Sequence, residues 1–182
     1  MNSPNEFSNR SYITTDHDLR RAIANCQKCN SITLNGSLII RSDRLPFLIL
    51  PKHKQKYFII VHVKETVAGS QIGHWFCCSI FPQSAHCLII DPSNRIHSYA
   101  NVDSFIKEFC TKNSLKPLYF NTKFESSSSL ICGQLVLFMC YLTSVKSLPQ
   151  MLEFRSFIRS KPLHIIERYM LSFVMRHYKI NT

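Results

Sequence analysis

A cysteine, a histidine and a carboxylate are the parts of thiol chemistry, and this sequence places one of each at a junction where the backbone can aim it. Gly73-His74-Trp75 starts an apolar run, Asp91-Pro92 closes the next, and Cys132-Gly133 opens the apolar stretch LVLFMCYL. Singly, each has an ordinary reading: a structural histidine, a turn, a buried thiol that behaves as a small hydrophobe. Together, in this order, they supply a thiol protease. His74 takes the thiol proton, Asp91 holds the imidazole in the useful tautomer, and Cys132 attacks a carbonyl carbon. A cysteine at a helix N-terminus meets aligned N–H groups that favour its thiolate. Gly133 removes bulk beside it, and the Cys132 backbone N–H can donate to an oxyanion.

The elements that must position these residues follow from composition and periodicity. Thr15-Asp16-His17-Asp18 has the acidic first turn of a helix, with Leu19, Ala22 and Ile23 on one face. YFIIVHV, Tyr57 to Val63, predicts a buried strand; His74 to Phe81 and His86 to Ile90 predict two more, joined by a turn at Pro82. Asn101 is placed to cap a helix carrying Phe105, Ile106 and Phe109, and Lys116 to Phe120 predicts a further strand. Cys132 to about Val145 is apolar all round, as a central buried helix is. From Pro162 a last helix turns Ile166, Met170 and Phe173 inward and Arg168, Arg176 and Lys179 outward. The order is that of an α+β fold.

The 182 residues, 45% hydrophobic with 13 Phe and 4 Gly, describe one folded domain, not a disordered or fibrous chain. We place a loose tail at 1–11 and the domain at 12–182. No secretory signal and no apolar run of membrane-spanning length is visible. Several of the eight cysteines lie inside apolar runs (Cys77, Cys78, Cys140), which implies reduced thiols and an intracellular setting. Cys26-Gln-Lys-Cys29 is a single CxxC without the second pair a zinc site needs, so no metal is expected there. Lys and Arg number 22 against 11 Asp and Glu, a net charge of +11. That excess suits a polyanion, nucleic acid first; solubility alone is the bland alternative.

GHWFCCSIFPQSAHCLIIDPSN, followed downstream by Cys132-Gly133, resembles the adenovirus-type cysteine protease (adenain) family, of the same clan as the SUMO-specific proteases. Upstream, DHDLRRAI is similar to that family's N-terminal helix. RLPFLI and KQKYFIIVHVKETVAGSQIGHW are similar to the segments that lead to its catalytic histidine. The resemblance runs from Asp16 to Leu142. It implies a single-domain, adenain-like fold: a central mixed sheet, a buried helix starting at the nucleophile, and flanking helices. It implies His74, Asp91 and Cys132 as the catalytic set, with Trp75 and Gly133 beside the substrate cleft. The implied activity is endoproteolysis of viral capsid or core precursors during particle maturation. The implied source is a DNA virus or a Polinton/Maverick-like virus-like element, and the implied setting is the host nucleus or cytoplasm and the particle itself.

The sequence departs from that family at two places. The family has a glutamine several residues before the nucleophile as a side-chain donor to the oxyanion; here Glu125 stands in that place, and an ionised carboxylate cannot donate. Either Glu125 is protonated, or a hydroxyl among Ser126 to Ser129 donates, or activity is weak. The family is also stimulated by DNA and by a peptide disulfide-linked to a strand cysteine. No cysteine stands near Leu118, and Cys110 falls in the preceding helix, so a disulfide-linked peptide is not expected and any peptide activator would act without a covalent link. No cofactor is required, and a monomer is expected. Arg20, Arg21, Lys52, Lys54, Lys56, Arg155, Arg159 and Lys161 are the candidate DNA phosphate contacts. Two rival readings remain: a feeble or inactive relative that binds DNA or capsid protein, and a SUMO- or ubiquitin-type deconjugating protease.

Overall fold

Strand alternation explains the architecture. The computed structural model describes residues 15–26, 38–51, 56–67, 70–126 and 131–178, with side chains from 65 to 72 left aside. Cys29, Lys52, Lys54, Ser127, Ser128, Ser129 and Lys179, and the tail at 1–11, lie outside the described residues. Strands β1 (Leu38–Arg41), β2 (Tyr57–Val67), β3 (Ser70–Phe81), β4 (His86–Ile90) and β5 (Lys116–Tyr119) form one sheet in that order. β1 runs parallel to β2 and β5 parallel to β4, while the two central pairings are antiparallel, so the sheet is mixed.

Side chains with period two feed two cores. Phe58, Ile60, Trp75, Cys77, Leu88 and Ile90 face one side. Tyr57, Ile59, Val61, Phe76, Cys78 and Ile89 face the other. The first side is covered by α1 (Asp16–Asn25) and by α3 (Cys132–Val145), α4 (Leu148–Arg159) and α5 (Leu163–His177). The second is covered by α2 (Val102–Lys112), the crossover that lets β4 and β5 run parallel, and by the 3₁₀ segment Ser42–Phe47. The fold is thus α+β, with a mixed sheet, a buried central helix and flanking helices. α3 is buried on nearly every side, with Leu135, Val136, Leu137 and Cys140 inaccessible to solvent. Among the described residues, no helix is long and apolar enough to cross a membrane.

Several local expectations change. β2 and β3 extend beyond the predicted bounds and meet in a long hairpin, Val67 pairing with Ser70. β1 and α4 are additional elements. The α4 start is written in the sequence as Ser147-Leu-Pro-Gln150, and the Ser147 backbone N–H donates to Gln150 Oε1 at 2.9 Å, half of a capping box. Asn101 sits at the N-cap position of α2, but its φ is 64° and its side chain makes no cap hydrogen bond. There it supplies left-handed backbone, which asparagine tolerates. On α5 the fully buried line is Ile166, Met170 and Val174, a spacing of four, while Phe173 is partly buried against the Phe138 ring.

Candidate active site

Three elements converge on one point. His74 comes from β3, Asp91 from the end of β4, and Cys132 is the first residue of α3, after Ile131 at the N-cap. His74 and Asp91 are 4% and 5% exposed, whereas Cys132 is partly exposed. The His74 Nε2 lies 2.6 Å from Asp91 Oδ1. With that edge taken, the other ring nitrogen is left to serve the thiol. Burial works against a charged imidazole, but the hydrogen bonds to Asp91 and Cys132 outweigh it and hold the ring up to about 10. His74 is therefore a strong base for the thiol proton. Burial likewise opposes the Asp91 carboxylate, yet His74, Ser93 and the Arg95 backbone keep its pKa below the usual value.

The Asp91-Pro92-Ser93-Asn94-Arg95 turn is what fixes the carboxylate. The Ser93 N–H and Oγ–H donate to Asp91 Oδ1 at 2.9 and 2.8 Å, and the Arg95 N–H donates to Oδ2 at 2.6 Å. This is the side-chain-to-backbone bonding that Asp makes two residues on. The Asp-Pro-Ser spacing carried that signal, and Ser93 and Arg95 were not singled out from sequence. Tyr99 stacks on the His74 ring at 5.5 Å between centroids.

Glu125 belongs to the same cluster. The Phe124 and Glu125 N–H groups both donate to the Pro92 carbonyl, at 2.9 and 3.1 Å, tying this loop to the Asp91 turn. A Glu125 carboxylate oxygen, a His74 ring nitrogen and the Cys132 Sγ all lie within 4.8 Å of one another. Burial pushes the Glu125 carboxyl up to about 7; His74 and the Ile131 N–H oppose the rise, and Asp91 and Glu167 add to it. Glu167, on α5, accepts the Ser126 N–H and so pins the loop from outside. It was not singled out from the sequence, because nothing local links residue 126 to a helix more than thirty residues on.

Trp75 points to the opposite sheet face from His74. It is 4% exposed, within the α3-side core, and its ring lies 4.4 Å from that of His62. A Cβ on Gly73 would stand 2.1 Å from His62 Nε2, so the glycine before the histidine leaves room for this ring. Gly133 is buried in the first turn of α3.

The basic residues are dispersed. Arg20 and Arg21 lie on α1 beside Asp16 and Asp18. Lys56 donates to the Lys146 carbonyl at 3.0 Å, closing the end of α3, so its ammonium has a structural partner. Arg159 donates to Thr122 Oγ1 and the Asn121 carbonyl, and the Arg155 Nε is buried without a hydrogen-bond partner. Arg159, Lys161 and Lys123 border a cavity of about 260 Å³ near the start of α5. Cys110 is buried against Cys87 in the α2-side core, and Cys26 is buried at the end of α1.

No family model matches the sequence, and no curated protein matches it. Among solved structures, the chain is similar to one described as the SUMO protease Ulp1 with the catalytic cysteine oxidized to a sulfinic acid. The identity is 13% and the TM-score 0.40, over 83% of this chain and 77% of that one.

Proposed function

We propose that this chain is a cysteine endopeptidase with His74, Asp91 and Cys132 as its catalytic set. The observation that carries the reading is their convergence from β3, the β4 end and the α3 start, with a 2.6 Å His74–Asp91 contact and a partly exposed cysteine at a helix N-terminus. His74 removes the thiol proton as Cys132 Sγ attacks the scissile carbonyl carbon. The resulting imidazolium, balanced by Asp91, gives that proton to the leaving amine, and water then hydrolyses the thioester. The Cys132 N–H and a protonated Glu125 donate to the oxyanion. The cluster requires no cofactor for this chemistry.

Within that class we favour the adenain type, acting on viral precursor polypeptides during particle maturation, with DNA as stimulator and any activating peptide held non-covalently. The motif resemblance supports the substrate class, the +11 charge supports DNA, and the burial of Cys110 argues against a disulfide-linked peptide there. Glu125 is the specific reason to keep a feeble, DNA- or capsid-binding relative as the second reading. The test is labelling of Cys132 by a vinyl-sulfone probe, with Cys132→Ala as control. It is followed by mass spectrometry of the capsid precursor from the same genome, incubated with and without DNA. An unlabelled Cys132 in folded protein rejects the protease reading; labelling of a ubiquitin-like C-terminal probe moves it to the deconjugating class.

A further inference from the structure

The trio His74, Glu125 and Cys132 presents a nitrogen, an oxygen and a sulfur ligand from three different elements, all within 4.8 Å of one another. Zinc-class cations take this donor set. Tetrahedral Zn²⁺, with bonds of about 2.0–2.3 Å, holds its ligand atoms roughly 3.3–3.8 Å apart, so side-chain rotation of about an ångström closes the site. We infer that these three side chains form a binding site for a divalent zinc-class cation, and that filling it reversibly silences the thiol.

Two further observations support it. Asp91 binds the His74 Nε2 at 2.6 Å, so the ring is already oriented with its other nitrogen toward the trio; metal-bound histidines are held by a carboxylate in this way. Glu125 is anchored in turn by the Ile131 N–H and by the loop's tether to Pro92. Cys132 is partly exposed, which leaves the trio a side from which a cation can enter. On binding, the proton shared between the Cys132 thiol and the His74 ring leaves to solvent, as does the Glu125 proton where the carboxyl holds one, and a thiolate and a carboxylate together balance the dication. A glutamine at position 125 supplies only a neutral amide oxygen, so this chain's glutamate is what completes the site. The metal takes the one lone pair of the imidazole nitrogen, which blocks proton transfer, and draws charge from the thiolate sulfur, which weakens its attack. The silencing rests on the protease reading above; the binding does not.

The experiment is a Co²⁺ titration of the full chain under a non-thiol reductant, followed by displacement with Zn²⁺. The expected result is a thiolate-to-cobalt charge-transfer band that saturates at one equivalent, bleaches on adding Zn²⁺, and is missing in Cys132→Ser. In competition with a chromophoric chelator, Glu125→Gln should bind Zn²⁺ at least tenfold more weakly. For the unaltered chain, Zn²⁺ should also slow alkylation of Cys132, read by mass spectrometry, and EDTA should restore it. No band in the unaltered chain, a band that persists in Cys132→Ser, or equal Zn²⁺ affinity in folded Glu125→Gln overturns the site. A reactive, proteolytic Cys132 without the band rejects the metal site alone, and a band on a chain that never labels or cleaves rejects the protease reading alone.

Discussion

Glu125 is a carboxyl on which two demands agree: burial beside a thiol disfavours its charge, and as an oxyanion donor it is useful only while protonated. With its pKa pushed up to about 7 by burial, it donates below that pH and only accepts above it. Turnover should therefore fall on an alkaline limb near neutrality, and Glu125→Gln should raise the rate and move that limb upward. An unchanged pH–rate profile for the variant would exclude Glu125 from the oxyanion site. The same shift fixes the sign for stability. A folded pKa above the unfolded value means the contribution is fully present below about 4.5 and lost as pH rises through about 7. Glu125→Gln should thus be more stable than the unaltered chain by on the order of 3 kcal/mol above neutrality and near parity at acid pH, as urea denaturation would measure. Cys132→Ala and His74→Ala should each abolish cleavage, because nucleophile and base act as one unit. Asp91→Asn should keep more residual activity, since the amide oxygen can still accept the Ser93 bonds and partly orient the ring, although its NH2 cannot accept the Arg95 N–H. Wild-type cleavage by Asp91→Asn would leave Asp91 a turn residue only.

At the scale of elements, the site depends on α5, far from the chemistry in sequence. Glu167 accepts the Ser126 N–H and also raises the Glu125 pKa. Glu167→Leu should remove that acceptor, costing about 1–3 kcal/mol of stability. It should also move the alkaline limb to lower pH, because one negative neighbour that holds the Glu125 pKa up is gone. A stability loss without that displacement would show that Glu167 only braces the loop. The α4 start offers a control remote from the thiol: Gln150→Ala, which removes the acceptor of the Ser147 N–H, should cost about 1 kcal/mol in thermal or urea melts while cleavage stays intact.

For the whole molecule, the +11 charge predicts a salt-dependent affinity for polyanions. Duplex DNA binding by fluorescence anisotropy should weaken steeply and linearly in log salt, with little sequence preference, because no base-reading helix is evident. An absence of binding at low salt would remove DNA from the proposed function. Arg20 and Arg21 lie on α1, Arg159 and Lys161 near α5, so reversing either pair alone should lower affinity only in part.

Much of this was legible without coordinates. The apolar all-round pattern of 132–145 dictated a buried helix, and the β-branched runs at 57–63, 74–81 and 86–90 dictated strands, because burial of those side chains is local in cause. The order Gly-His-Trp, Asp-Pro, Cys-Gly proposed a thiol site. The tertiary structure alone decided which groups meet. The Pro92 carbonyl gathers the Phe124 and Glu125 N–H groups, α5 reaches Ser126 through Glu167, and the Ser93 turn locks Asp91 onto His74. β1, a four-residue strand, takes its place by parallel pairing with β2, a long-range ladder that short-range periodicity does not encode. Trp75 shows the same division: its neighbour His74 fixed its strand, but pleat alternation sent it to the opposite core. The raised Glu125 pKa has no sequence signature at all, because it is set by burial and by charges from distant elements that only the folded chain assembles.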